Sequence, residues 1–203
     1  MKIICVARSY RLHAQEMGSA PPAQPVFFLK PRTAWAVSGE VPYPPFTQRL
    51  EYETELVFRI AKGGSRLTPE RAVSYVDALT VGIDFTARDL QAQLKDQRLP
   101  WEMAKAFDGS AWWGAWLPIP ENWTDIPFRL YRGVQLLQEG YGRDLLFTLG
   151  ALLAAASQYF TLEPGDVLFT GTPAGVGVVM PGDELRALFG EKEVGRVRIV
   201  SSF

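Results

Sequence analysis

Short apolar runs, each closed by proline, glycine or an acidic residue, recur along this chain and set the elements it predicts. Residues 1–8 read as a strand, and Ser9 to Met17 as a short helix or ordered loop carrying His13. Pro21, Pro22 and Pro25 mark an irregular stretch before a strand at Val26 to Lys30, and Pro42, Pro44 and Pro45 mark a second. Leu56-Val57-Phe58-Arg59-Ile60 is a further strand. Thr68-Pro69-Glu70-Arg71 opens a helix, with Thr68 as N-cap and Pro69 at the first helical position, running to about Asp77. A strand follows from Ala78 to Asp84. Past a Trp-rich segment, Phe128 to Leu137 has the look of a hairpin, and Asp144 to about Phe160 forms an Ala-rich helix. Two matching turns, Glu163-Pro164-Gly165-Asp166 and Met180-Pro181-Gly182-Asp183, each lead into an apolar run. Strands outnumber helices and do not alternate with them regularly, which disfavours a doubly wound parallel sheet and predicts α+β with a mixed or antiparallel sheet.

The length, 203 residues, suits one domain over 1–203 with its own hydrophobic core. A net charge of −1, with basic residues scattered singly, gives no electrostatic case for nucleic acid or an anionic membrane. Cys5 is the one cysteine, so no intramolecular disulfide forms, and the expected setting is a reducing cytoplasm. It reads as a buried strand residue without a chemical role. The apolar stretch before Arg8 is too short for a signal peptide, and the 144–160 helix is short for a bilayer and rich in alanine. A soluble protein is expected.

Glutamates alternate in Glu51-Tyr52-Glu53-Thr54-Glu55, so on one extended strand all three would share a face. Such an oxygen-rich face without histidine or cysteine suits a hard divalent ion, Mg2+, Mn2+ or Ca2+; otherwise it is a solvated edge strand. Asp84, at a strand end, either completes that site or caps the short helix that follows, where Arg88 and Gln91 could face a substrate. Lys105, among apolar neighbours, is a snorkelling surface residue or a charge held over an anion. His13 is the single histidine, and Glu16 three positions later would share its face on a helical turn, making a general base for water. The loop Phe169 to Gly177 lacks the Gly-Lys-Ser/Thr ending of a phosphate-binding loop, but its glycines and Thr172 can approach a small anion such as a carboxylate.

Six stretches occur in order: Ser9-Tyr10 to His13 and Glu16; Phe28-Leu29-Lys30-Pro31; Glu53-Thr54-Glu55-Leu56; Asp84 to Gln91; Trp101 with Lys105-Ala106-Phe107-Asp108; and Pro164-Gly165-Asp166 through Gly177. Together they resemble the fumarylacetoacetate hydrolase family, in particular its short branch of acylpyruvases and oxaloacetate decarboxylases. The resemblance implies a rolled, strongly twisted β fold with a few short helices, and a homodimer. It also implies Mg2+ or Mn2+ held by Glu53, Glu55 and Asp84, with Glu51 a charge at the rim. Lys105 would lie over the substrate's charged end, His13 and Glu16 would activate water, and Arg88, Gln91 and Thr172 would contact substrate oxygens. The implied reaction is hydrolytic carbon–carbon cleavage of acylpyruvate-type β-diketo acids through a pyruvate enolate. Oxaloacetate decarboxylation and isomerisation of 2-hydroxyhepta-2,4-diene-1,7-dioate or 5-carboxymethyl-2-hydroxymuconate are its alternatives. A catalytically silent binder of 2-oxo acids is the alternative of another class. Three departures stand out: Ala7-Arg8-Ser9-Tyr10 replaces Gly-x-Asn-Tyr, Ser110-Ala111-Trp112-Trp113 replaces Ser-x-Pro, and Gly133-Val134 replaces Asn-Gly.

Overall fold

The computed structural model describes residues 1–16 and 20–201, the side chains of 14 and 15 excepted. Strands are numbered along the chain. The apolar runs assemble a six-stranded sheet from β1 (Ile3–Ala7), β2 (Val26–Lys30), β5 (Thr54–Ile60), β6 (Val76–Asp84), β8 (Ala111–Trp113) and β11 (Val167–Phe169), in the order β2-β1-β11-β5-β6-β8. Only β1 and β11 pair in parallel within it. A second sheet joins β3 (Glu40–Pro42), β9 (Pro127–Arg132), β10 (Gln135–Tyr141), β13 (Glu184–Phe189) and β14 (Lys192–Val200), in the order β10-β9-β13-β14-β3. A small third sheet orders β12 (Gly177–Val178), β4 (Leu50–Tyr52) and β7 (Thr86–Ala87) as β12-β4-β7. Four short α-helices, α1 (Arg11–Glu16), α2 (Pro69–Ala72), α3 (Arg88–Asp96) and α4 (Leu149–Tyr159), and five 3-10 turns complete the described elements. The fold is the expected mixed α+β type. Among the described residues, no helix is long and apolar enough to cross a membrane.

Both faces of the six-stranded sheet are covered, which is why its strands read as continuous apolar runs. Leu56, Phe58 and Ile60 of β5 pack with Leu79, Val81 and Ile83 of β6 and with Leu152 and Leu153 of α4. The opposite face carries Ile3, Cys5, Phe28, Val57 and Phe169. Because side chains alternate, Glu55 shares the face of Val57, and Lys30 that of Phe28. The second face therefore runs from an apolar patch into a charged one. Trp112 and Trp113 are buried, and Trp35 stacks on Trp113 with centroids 4.4 Å apart, so these tryptophans are core.

Several predicted boundaries move. The helix at Thr68 ends at Ala72 rather than Asp77, continues as a 3-10 turn over Val73–Tyr75, and gives way to β6 at Val76. Thr68 holds the cap position, but its hydroxyl makes no capping hydrogen bond. The Ala-rich helix begins at Leu149, not Asp144, where the Thr148 hydroxyl accepts the Ala151 amide at 3.2 Å. The hairpin is β9–β10, longer than expected. Both Pro-Gly-Asp turns form as read: Asp166 accepts the Glu163 amide and Asp183 the Met180 amide, each at 2.9 Å, with Gly165 and Gly182 at positive φ. The first predicted helix is α1, whose expected end at Met17 lies outside the described residues.

Candidate active site

The acidic stretch does not lie on one strand. The chain leaves β4 at Tyr52 and enters β5 at Thr54, so Glu53 sits at the junction of two sheets. Its carbonyl accepts the Asp84 amide at 2.8 Å, which ties the junction to the end of β6. As a result Glu53, Glu55 and Asp84 each present a carboxylate oxygen within 4.8 Å of the others, all buried. Asp84 caps no helix; its carboxylate takes lysines instead.

Glu51 was expected at the rim, and this is corrected: it is 2% exposed. The turn of the chain at Glu53 sends it to the far side of Arg88, whose Nε donates to Glu51 Oε2 at 2.6 Å while Nη2 donates to Glu53 Oε1 at 2.5 Å. Glu51 also accepts from Arg49 at 2.7 Å, and Arg88 Nη1 donates to Gln91 Oε1 at 2.7 Å. Arg88 and Gln91 are thus fixed on α3 by an acidic clamp. Lys105 is buried and bridges Glu53 Oε2 at 2.9 Å and Asp84 Oδ2 at 2.8 Å, so it is no snorkelling residue.

The charges divide unequally. Burial pushes the Glu53 carboxyl up, but Lys105 and Arg88 overcome this and hold it well below the usual range. Glu55 has no cation: burial, with Asp84 and Glu53 beside it, pushes its carboxyl well up, against the Gly171 amide that donates to Oε2 at 2.6 Å. Asp84 Oδ1 has the Lys30 ammonium at 2.7 Å but receives no directional hydrogen bond. Three buried hard oxygens, two of them short of donors, fit a divalent cation.

The Gly-rich loop after β11 does bind carboxylates, and they are the protein's own. Its Gly171 amide holds Glu55, and its Gly175 amide donates to Glu16 at 3.2 Å. Gly171 has φ +93°, and a Cβ there would overlap the Ser9 hydroxyl, which donates to the Thr170 carbonyl. Glu16 in turn meets His13 Nδ1 at 3.2 Å on α1. His13, Glu53, Asp84, Arg88, Gln91, Lys105 and Thr172 all line one pocket, with Phe28 and Trp101 as apolar wall.

Two supporting residues were not anticipated. Lys30 is fully buried: it contacts Asp84, donates to the Lys105 carbonyl, and reaches the Ser110 carbonyl and hydroxyl at 3.0 Å each. Its inward direction follows from alternation with Phe28, once the covered face of β2 is known. Gln138, also buried, accepts the Thr54 amide at 2.9 Å and donates to Thr172 Oγ1 at 2.9 Å and the Pro173 carbonyl at 3.0 Å. A β-bulge between Leu136 and Gln138 turns it toward the loop, and an alternation pattern does not foresee that.

Comparison with known proteins supplies the family. Residues 2–199 match the family described as fumarylacetoacetate (FAA) hydrolase C-terminal. The mitochondrial oxaloacetate tautomerase fahd-1 of Caenorhabditis elegans is 41% identical over 191 residues, covering 90% of this chain and 86% of that protein. Among solved structures, fumarylpyruvate hydrolase from Pseudomonas aeruginosa, in complex with Mn2+ and pyruvate, superposes with TM-score 0.89 at 35% identity, covering 100% of this chain and 90% of the other. The 5-carboxymethyl-2-hydroxymuconate delta-isomerase from Mycobacterium smegmatis superposes with TM-score 0.84 at 32% identity, covering 100% and 79%. The family match over nearly the whole chain, the identity to the relatives and the shared fold agree, and the chain belongs to the fumarylacetoacetate hydrolase family.

Proposed function

We propose that this chain is a divalent-metal-dependent enzyme acting on 2-oxo acids through their enol form, and that it hydrolyses acylpyruvate-type β-diketo acids to release pyruvate. The observation that carries the reading is the His13–Glu16 pair, which opens into the same pocket as Glu53, Asp84 and Lys105. Glu53, Glu55 and Asp84 would hold Mg2+ or Mn2+, with Ca2+ also suited to an all-oxygen set; such an ion supplies Lewis-acid stabilisation of a 2-oxo acid's enolate. The bound Mn2+ and pyruvate of the Pseudomonas aeruginosa hydrolase support the assignment.

Glu16 accepts from Nδ1–H of His13, which leaves Nε2 as the base that takes a proton from water. The resulting hydroxide attacks the distal carbonyl. The carbon–carbon bond then breaks toward C3 of the pyruvyl unit, and His13 returns the proton as the enolate becomes pyruvate. Lys105 and Arg88 face the developing negative charge, while Gln91 and Thr172 offer hydrogen bonds to substrate oxygens. Replacing His13 by alanine is expected to lower kcat for an acylpyruvate by about 10^2- to 10^4-fold with the melting temperature unchanged. Hydrolysis undiminished in His13→Ala would end the water-activating role.

The tautomerase relative favours a second reading, oxaloacetate tautomerisation, in which His13 carries a proton between C3 and the enol oxygen without water. Decarboxylation of oxaloacetate and hydroxymuconate isomerisation use the same enolate. Enol absorbance and product identity over a panel of acylpyruvates, oxaloacetate and hydroxymuconate analogues separate these reactions, and wild-type protein that equilibrates oxaloacetate but releases no pyruvate from acylpyruvates establishes the second. A cytoplasmic homodimer is part of the same proposal. Sedimentation is expected to give twice the 22.6 kDa chain mass, and a monomer would contradict it.

A further inference from the structure

Thr172 enters the pocket as a hydroxyl, a group that donates or accepts according to what its neighbours leave open. Gln138, behind the pocket wall and 2% exposed, sets which of the two it does. Its Oε1 accepts the Thr54 amide at 2.9 Å, a contact with an N–H that only the oxygen of a carboxamide can make, so the other end of the group is the NH2. Nε2 gives one hydrogen to Thr172 Oγ1 at 2.9 Å and the other to the Pro173 carbonyl at 3.0 Å. Thr172 is therefore the acceptor in its bond to Gln138. Among the described residues its own proton meets no protein acceptor, which leaves it directed at the pocket. Accepting one hydrogen bond also makes a hydroxyl a stronger donor in the next.

The bulge in β10 is what makes this possible. Leu136 pairs with Tyr131 and Gln138 with Leu130, so Leu137 is an extra residue in the strand. In an unbroken register Gln138 would oppose Arg129, on the other face of the sheet; the bulge moves it to the face of buried Leu130. The Gly-rich loop lies against this part of β10: a Cβ at Gly140 would fall 2.8 Å from Pro173 Cγ, and one at Gly175 3.5 Å from Gln138 Cγ. Thr54 stands between Glu53 and Glu55, so one carboxamide joins the segment bearing those carboxylates to the loop bearing Thr172. A hydroxyl fixed as a donor suits a negatively charged oxygen, whereas a hydroxyl turned to present its lone pairs would repel one.

We infer that Gln138 is a positioning residue that holds the Thr172 hydroxyl as a donor to an anionic oxygen of the bound substrate, an inference that rests on the 2-oxo acid reading of the pocket. Pyruvate, titrated calorimetrically into Mn2+-loaded protein, is the probe. Thr172→Val removes the hydroxyl and Gln138→Met removes the carboxamide at similar volume; each is expected to weaken binding roughly 10- to 100-fold, the range for one hydrogen bond to a charged group. Thr172→Ser keeps the hydroxyl and should bind as wild type does. The double variant Gln138→Met with Thr172→Val is expected to bind no more weakly than Thr172→Val alone, because Gln138 acts through that hydroxyl. A residue that only braced the loop would weaken both backgrounds equally. A melting temperature that rises with Mn2+ identifies variants with fold and carboxylate cluster intact. If Gln138→Met fails that check, Gln138→Asn, whose carboxamide is too short to reach Thr54 and Thr172 together, takes its place in the cycle. Wild-type affinity in Thr172→Val or in the Gln138 variant, or an equal loss with and without the Thr172 hydroxyl, overturns the positioning role and leaves the 2-oxo acid reading standing. Failure of pyruvate to bind wild-type protein overturns both.

Discussion

Withdrawing divalent cations is expected to reduce turnover on every 2-oxo acid to background, and adding Mn2+ or Mg2+ to restore it. The physical reason is the unequal support of the three carboxylates. Lys105 and Arg88 neutralise Glu53, and Lys105 and Lys30 flank Asp84, but Glu55 has only the Gly171 amide. A cation binding this cluster also stabilises the fold, by about 2.7 kcal/mol at a hundredfold excess over Kd. For a chain of this size that corresponds to a rise in melting temperature of about 5–10 °C. The sign with pH follows from the raised Glu55 carboxyl. Folded protein retains a proton that unfolded protein has lost, so the metal-free form loses stability as pH rises out of the ordinary carboxylate range toward the raised value. Metal binding displaces that proton and should flatten this slope. Thermal denaturation with chelator and with Mn2+, across pH, reads both effects. Turnover that persists in chelator, with no melting shift on adding Mn2+, would falsify the assignment, and Glu55→Gln is expected to lose the shift.

Replacing Lys30 by methionine is expected to destabilise the fold by about 3–5 kcal/mol, since removing one partner of a buried ion pair strands the other. The ammonium is 0% exposed and also satisfies the carbonyls of Lys105 and Ser110. Its loss leaves Asp84 with Lys105 alone and loosens the backbone that delivers Lys105 to the pocket. The melting temperature should fall by about 6–20 °C. Adding Asp84→Asn in the same chain should recover part of the loss, a coupling that a double-mutant cycle measures. A Lys30→Met variant within 1 kcal/mol of wild type in chemical denaturation, an order-of-magnitude threshold for one net hydrogen bond, would show that Lys30 is not a keystone of the site.

The residues that carry local chemistry were legible because their signals are local: Glu53 and Glu55 two apart, Asp84 closing an apolar run, and His13 three before Glu16. The geometry brings all of these into one neighbourhood. What escaped depends on distant chain. The resemblance puts Glu51 at the rim and alternation along one unbroken strand puts it beside Glu53 and Glu55; neither anticipates that the backbone changes sheets at Glu53 and buries Glu51 against Arg88. The inward turn of Lys30 depends on which face of β2 the rest of the molecule covers, and that of Gln138 on a bulge set by pairing with β9. The early end of α2 has the same origin: a 3-10 turn over Val73–Tyr75 delivers Val76 into the sheet against a helical pattern that continued.

The loop from Phe169 to Gly177 grips both Glu55 and Glu16, so one backbone segment fixes the buried carboxylate cluster and the partner of His13 together. A displacement of that segment would be felt at both places at once, which ties the two halves of the proposed site to a single mechanical support.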